Sequence, residues 1–289
     1  MNAIPLEWLK WVDENIERGV PPKTLIDRLI QNNFSPTLAA QIVMAKASGK
    51  PRPAQVAPVA SVVQHVQNGD FIYEELGPKV DLSVKTTDRE ITVLMTINKP
   101  RVILFGNVFS KEECEQLIAL SRPKISRSTT VDDASGRAEQ HEHRTSSGTF
   151  FHINETPFIA MLDKRISELM QVPVANGEGL QILNYQVGGE YKPHFDYFPP
   201  EIPGSAVHIA RGGQRVATLI IYLNTVDEGG ETILPNIGLK VSPVQGNALY
   251  FAYTNSFSQV DPLTYHGGNP VIRGEKWITT KWVRQREYW

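Results

Sequence analysis

His194 and Asp196 stand two residues apart in the run from Leu183 to Phe198. On an extended strand, residues i and i+2 project to the same face, so an imidazole nitrogen and a carboxylate oxygen can reach one point together. That pair is two thirds of a 2-His-1-carboxylate facial triad, a donor set that holds iron on one side and leaves open positions for reactants. A second histidine is needed, and Thr264-Tyr265-His266-Gly267-Gly268 supplies it. Lys276 follows ten residues later, in Gly274-Glu275-Lys276-Trp277. A lone His-x-Asp is a weak signal. The metal reading rests on agreement with Tyr185 upstream, the Gly188-Gly189 turn, and the distant His266 and Lys276 near expected strand ends.

These residues need a rigid scaffold, and the pattern beyond Gly179 is β-rich. Leu180–Val187, Val216–Leu223, Leu239–Val241, Ala248–Tyr253 and Trp277–Val283 read as short strands between Gly and Pro turns. Such a series argues for a sandwich or barrel. Earlier extended runs, near Phe71–Leu76, Val80–Val84, Ile91–Ile97 and Val102–Phe105, are expected to enlarge one sheet. Two helices interrupt them. Ser110-Lys111-Glu112-Glu113 is a capping box opening a helix with Leu117, Ile118 and Leu120 inward. A second starts at Thr156-Pro157 and buries Phe158, Leu162, Ile166 and Leu169.

Residues 1–49 read as three short helices, with Pro5 and Pro36 at first helical positions, Ser35 as a cap, and Gly19 and Gly49 as stops. Leu9, Val12 and Ile16 fall on one face of the first. The module is either a docking domain for a protein partner or a cap on the following domain, and Trp8 and Trp11 suit both. Residues 50–61, rich in Pro and Ala, read as an extended linker to a domain over 62–289.

Several blocks in fixed order make the chemistry more specific. They are Lys99-Pro100-Arg101, Arg144-Thr145-Ser146-Ser147-Gly148, the Tyr185–Asp196 stretch, Gly212-Gly213-Gln214-Arg215, Gly229-Gly230-Glu231-Thr232-Ile233-Leu234-Pro235 and the tail from His266 to Trp282. In these the chain resembles the prolyl 4-hydroxylases, a branch of the iron(II)- and 2-oxoglutarate-dependent dioxygenases, over about Lys99 to Trp289. The resemblance implies a mainly β fold with flanking helices: a double-stranded β-helix (jelly roll) catalytic domain beside the small N-terminal helical module. It implies His194, Asp196 and His266 as iron ligands and Lys276 as the cation for the far carboxylate of 2-oxoglutarate, assisted by hydroxyls of Tyr185 and Thr232. The resemblance also implies dioxygen as the second co-substrate, with ascorbate as a candidate further cofactor. The reaction implied is 4-hydroxylation of a proline residue in a peptide or protein, with 2-oxoglutarate converted to succinate and CO2, as in procollagen-proline 4-dioxygenases.

Arg144, Glu178, Tyr191, Arg215 and Trp282 match substrate-facing positions of the family more loosely. Arg and aromatic groups suit a peptide backbone and a proline ring. Arg284 stands where some relatives carry histidine. The alternatives are a dioxygenase acting on another side chain or a small molecule, and a non-catalytic binding module.

Composition excludes other classes. A net charge of −2 over 289 residues gives no basic stripe for nucleic acid or a membrane surface. No apolar run approaches the roughly twenty residues of a membrane span, and the N-terminal residues lack a secretory pattern, so a cytoplasmic location is expected. The single cysteine, Cys114, excludes an internal disulfide, fits a reducing compartment, and reads as a buried inert thiol. His141-Glu142-His143 is a possible metal clip by spacing, but its surroundings read as a polar loop covering substrate.

Overall fold

The computed structural model describes residues 6–31, 36–47, 71–74, 77–127, 130–131, 138–139, 145–199, 202 and 204–289. The chain divides into two compact units, Met1–Gln67 and Asn68–Trp289. In the first, α1 (Leu6–Glu17), α2 (Pro22–Gln31) and α3 (Pro36–Ala47) bury Val12, Leu25, Leu29, Ala39 and Val43. Trp11 and Ile16 pack half-buried against that small core. Pro5, Ser35 and the linker 50–61 lie outside the described residues.

The second unit opens with β1 (Ser83–Lys85), β2 (Glu90–Ile97) and β3 (Arg101–Gly106). Then come α4 (Lys111–Ser121), β4 (Ser126–Arg127), β5 (Thr130–Val131) and β6 (Ala138–Glu139). β7 (Ser147–Phe151) and α5 (Pro157–Met170) precede β8 (Leu180–Tyr185) and β9 (Tyr191–His194). After α6 (Ser205–Ala210) follow β10 (Arg215–Tyr222), β11 (Glu228–Gly229), β12 (Thr232–Leu234), β13 (Leu239–Val241) and β14 (Ala248–Ala252). Last come β15 (His266–Gly268), β16 (Val271–Arg273) and β17 (Lys276–Arg284).

Nine strands form one sheet in the order β1-β2-β3-β14-β10-β17-β8-β7-β4, and four form another, β13-β12-β15-β9. The period of two along each strand divides the larger sheet's side chains between two cores. Leu219 and Ile221 of β10, with Leu180 and Ile182 of β8, face a core shared with Cys114 and Leu117 of α4 and Ile159, Leu162, Ile166 and Leu169 of α5. Their neighbours Ile220, Tyr222, Leu183 and Tyr185 face the opposite way, against Leu234 and Val241 of the smaller sheet. The architecture is therefore mainly β, with two layers of sheet and helices on the outer face of one.

The expected helix starts follow from their caps. Ser110 accepts the Glu113 amide at 3.2 Å while Glu113 accepts the Ser110 amide at 2.7 Å. Thr156 accepts the Ile159 amide at 3.2 Å, with Pro157 first in α5. Three expectations differ. Leu120 is 39% exposed, on the outer face of α4 rather than the inner one. Residues 71–74 form no strand: their main chain bonds to side chains instead, Ile72 N–H to Gln259 and Ile72 O to Asn255, both at 3.1 Å. The polar stretch after Val131 begins and ends as a paired ribbon, Thr130 opposite Glu139 and Val131 opposite Ala138.

Candidate active site

Strand register brings the distant residues together. In the smaller sheet His266 lies opposite His194, and Thr232 opposite Gly268. In the larger sheet Lys276 lies opposite Tyr185. All of these line one cavity together with Asp196. Close approach of β15 to β9 requires glycine at 267: a Cβ there would stand 2.8 Å from the Tyr191 carbonyl oxygen.

The metal end has three donors within 4.8 Å of one another, from His194, Asp196 and His266. Asp196 Oδ1 is 3.6 Å from His194 Nε2, and its Oδ2 is 3.4 Å from His266 Nε2. The Nδ1 of each imidazole is bonded to a main-chain carbonyl two residues upstream, Lys192 at 2.9 Å and Thr264 at 3.0 Å. With Nδ1 as donor, each ring turns the Nε2 lone pair toward the shared point, as a metal ligand requires. Burial disfavours the imidazolium of His266 and lowers its pKa to about 4, despite the opposing pull of Asp196. Burial opposes ionisation of Asp196 too, but the charges and bonds of His266, His194 and Arg215 outweigh it and hold the carboxyl below its usual range. A neutral imidazole and an ionised carboxylate are the forms that bind a divalent ion.

At the other end lies Lys276, 3% exposed, with no carboxylate within ion-pair distance among the described residues. Its Nζ sits over the rings of Tyr185 and Tyr222, 5.6 and 6.0 Å from their centroids. Burial lowers its pKa to about 8, partly offset by Glu231. A buried ammonium without an anion is costly, and a ligand carboxylate would satisfy it. Thr232 shares the lining, and its Oγ1 accepts the Tyr222 hydroxyl at 2.8 Å.

The looser candidates divide. Tyr191 and Trp282 line the cavity, and Tyr191 stacks on His194 with centroids 3.7 Å apart. Glu178 and Arg215 do not line it; they form a buried ion pair, 2.7 Å from Arg215 Nε to Glu178 Oε1. Arg284 donates to the same oxygen at 2.6 Å, so Glu178 bridges two guanidiniums, which hold it ionised against burial. Arg215 nonetheless touches the site from behind, stacked 3.8 Å from the Trp282 ring and donating to the Asp196 carbonyl at 3.2 Å. Arg144 and the His141-Glu142-His143 run lie outside the described residues.

Two corrections concern what the spacing implied or omitted. β9 ends at His194, so Asp196 belongs to the bend beyond it rather than to the strand. Its carboxylate is held by Thr218 of β10, whose hydroxyl donates to Oδ2 at 2.7 Å and lies 3.0 Å from the buried Tyr253 hydroxyl. Nothing in local spacing signals Thr218, Tyr253 or Tyr222, since their partners are brought to them by long-range pairing.

The 2OG-Fe(II) oxygenase superfamily model matches residues 180–284, a span that contains every residue of the triad and Lys276. Prolyl 4-hydroxylase 5 of Arabidopsis thaliana is 41% identical over 209 residues, covering 66% of this chain and 70% of that one. The chain belongs to the prolyl 4-hydroxylase family of 2OG-Fe(II) oxygenases. Prolyl 4-hydroxylase 1 of the same plant is also 41% identical, over 202 residues. Among solved structures, the viral collagen prolyl hydroxylase vCPH of Paramecium Bursaria Chlorella virus-1, a 2OG complex, is 27% identical with a TM-score of 0.50. The likeness covers 63% of this chain and 95% of the viral one.

Membership of this prolyl 4-hydroxylase family implies Fe(2+), 2-oxoglutarate and dioxygen, and the residues present fit them. The His–Asp–His donor set suits iron(II) with positions left open, and the buried Lys276 ammonium suits a dicarboxylate's far end.

Proposed function

We propose that the chain is an iron(II)- and 2-oxoglutarate-dependent dioxygenase that 4-hydroxylates a proline residue in a peptide or protein. The observation that carries this is one cavity holding the His194–Asp196–His266 cluster at one place and, at another, the buried Lys276 with no carboxylate in ion-pair distance among the described residues. His194, Asp196 and His266 would hold the iron. Lys276, with the hydroxyls of Thr232 and Tyr185, would fix the far carboxylate and so orient the co-substrate's other end toward the triad. When bound, iron supplies the oxygen chemistry: 2-oxoglutarate, O2 and the proline C–H become succinate, CO2 and the C–OH product. Apolar side chains such as Leu183, Ile220 and Ile278 in the lining exclude water from that space.

Tyr191 and Trp282, on the cavity wall, are assigned to the proline ring; Arg215 would act through Trp282, and Arg144 is assigned to the same substrate by resemblance alone. The jelly-roll reading of the two sheets belongs to this proposal, as does a cytoplasmic setting. Cys114 is compatible with the latter: it is a single buried thiol pushed up to about 12 by burial, poorly suited to oxidation. No helix among the described residues is long and apolar enough to cross a membrane.

The test is turnover of a proline-peptide library with Fe(II) and 2-oxoglutarate, with and without ascorbate. Mass spectrometry should find one added oxygen on proline, matched by succinate. Oxygen on another residue, or succinate formed only with a small molecule, would favour the alternative dioxygenase reading. We assign the N-terminal helices to docking of a protein partner. A chain beginning at Ser61, which keeps residues 71–74 and their bonds to Asn255 and Gln259, should turn over short peptides normally and bind a large substrate more weakly. An equal fall on both would overturn the docking role in favour of a cap.

A further inference from the structure

The carboxylate of the His–Asp–His cluster is the donor that lies outside regular structure. Beyond β9 the residues Asp196, Tyr197 and Phe198 are buried but belong to no strand among the described residues, and buried amides and carbonyls outside a ladder are satisfied by other means. The side chain of Gln214 does this for Phe198. Its Oε1 accepts the Phe198 amide at 2.9 Å, and its Nε2 donates to the Phe198 carbonyl at 2.6 Å. One carboxamide thereby replaces a neighbouring strand.

Gln214 is itself fixed. It is 5% exposed, and its Oε1 also accepts the Arg215 amide at 3.0 Å. Its main chain is paired with Gln285: the Gln214 amide donates to Gln285 Oε1, and the Gln285 amide to the Gln214 carbonyl, each at 3.0 Å. Arg215, the next residue, donates from Nη1 to the Asp196 carbonyl at 3.2 Å. Residues 214 and 215 thus grip both ends of the three-residue segment that bears the carboxylate. Between them the Phe198 ring stacks on His208, with centroids 4.9 Å apart, and lies under Arg215 and Arg284 at 4.9 and 5.0 Å. A shift of Phe198 would break both Gln214 bonds to its main chain.

We propose that Gln214 is a positioning residue for the metal: its carboxamide sets where the Asp196 carboxylate meets His194 and His266. This rests on the reading of those three residues as metal ligands. A merely structural glutamine would change melting temperature and leave metal affinity alone. Side chains that orient ligands from behind typically alter metal affinity by about ten- to a hundredfold when removed.

The experiment is a Co(II) titration of the metal-free full chain, read by visible absorption and calorimetry, beside a thermal melt of each variant. Gln214→Leu, which keeps the volume but makes none of the three bonds, should weaken Co(II) binding by about ten- to a hundredfold. Gln214→Glu can still accept both amides but cannot donate to the Phe198 carbonyl, and should fall between. Gln171→Asn is the control, since Gln171 pairs in the same way with both main-chain groups of Lys79, away from the cavity; it should leave Co(II) affinity unchanged. Wild-type affinity in both Gln214 variants would overturn the proposal alone, as would an equal loss in Gln171→Asn. Failure of the wild-type chain to bind Co(II) would overturn the metal site itself. If the Leu variant does not fold, the Glu variant decides.

Discussion

The two ends of the cavity are built by different means. At the Lys276 end, β17 runs for nine residues, all buried, and pairs with β8 in unbroken register from Lys276 opposite Tyr185 to Thr280 opposite Gln181. A ladder of that length fixes where each side chain lies without further help. At the metal end, β9 has four residues, β15 three, and the register shifts between His266 and Gly268. Short, irregular strands define position poorly. There the donors are held by individual bonds instead: Lys192 and Thr264 carbonyls on the imidazoles, and Thr218 on the carboxylate. Placement of the Lys276 ammonium is thus a property of the sheet, whereas placement of the three donors depends on single side chains.

The sharpest way to break that contrast is to delete a function from one end and read the other. His194→Ala, Asp196→Ala and His266→Ala should each abolish turnover and cut Co(II) or Fe(II) affinity beyond about a thousandfold, since two donors remain of three. The fold should survive, because the nine-stranded sheet and its helix-facing core contain none of these residues. Normal succinate formation with unchanged metal content in any of the three would end the assignment. Lys276→Ala should do the reverse. Loss of a buried charge-assisted pair weakens 2-oxoglutarate binding by about a hundredfold, with Co(II) affinity as in the wild type. Unchanged co-substrate affinity would mean that another cation holds the far carboxylate.

A smaller effect should follow pH at the Lys276 end. Burial brings this lysine's pKa down to about 8, so the free protein carries the cation below that pH and loses it above. A bound carboxylate favours the charged form and raises the pKa, so binding takes up a proton at higher pH. Affinity for 2-oxoglutarate should be flat from about pH 6 to 8 on this group's account, then fall by at most about tenfold per pH unit until the bound-state pKa is reached. Calorimetry in buffers of different ionisation enthalpy measures both the fall and the proton uptake. In Lys276→Ala the slope above pH 8 should disappear; a slope that persists would place the titrating group elsewhere.

The same contrast explains what could be read from the chain alone. The strands of the Lys276 end, the capping box at Ser110 and the Thr156-Pro157 helix start carry local signals, period two and caps, and they stand where those signals put them. His194, His266 and Lys276 were legible as residue types at telling spacings. What was not legible came from register between distant strands. Thr218 and Tyr222 read as ordinary β10 residues until pairing sets one on Asp196 and the other on Thr232. Asp196 looked like a strand residue because spacing cannot show where a ladder stops. The resemblance turns Glu178 and Arg215 toward substrate, but local sequence does not reveal that Arg284 joins them in a buried cluster behind the wall.

β10 offers the finest test, because one strand serves both ends. Thr218, Ile220 and Tyr222 alternate onto its inner face, where Thr218 bonds the Asp196 carboxylate and Tyr222 bonds the Thr232 hydroxyl. Tyr222 donates to Thr232 Oγ1, which leaves the threonine hydrogen free to point at a ligand carboxylate. Tyr222→Phe keeps the buried ring and removes only that donor, so Thr232 loses its orientation but not its place. A single bond of this kind contributes about 1 kcal/mol, so 2-oxoglutarate binding should weaken by about fivefold. Metal affinity should not change. Thr218→Val, nearly isosteric, should weaken Co(II) by about tenfold and leave co-substrate affinity intact when the metal is saturating. The two variants differ by four positions on one strand, so any general softening of β10 would move both quantities in both. If each variant shifts both affinities alike, the ends are coupled through the strand. Opposite single effects would show that the sheet isolates them.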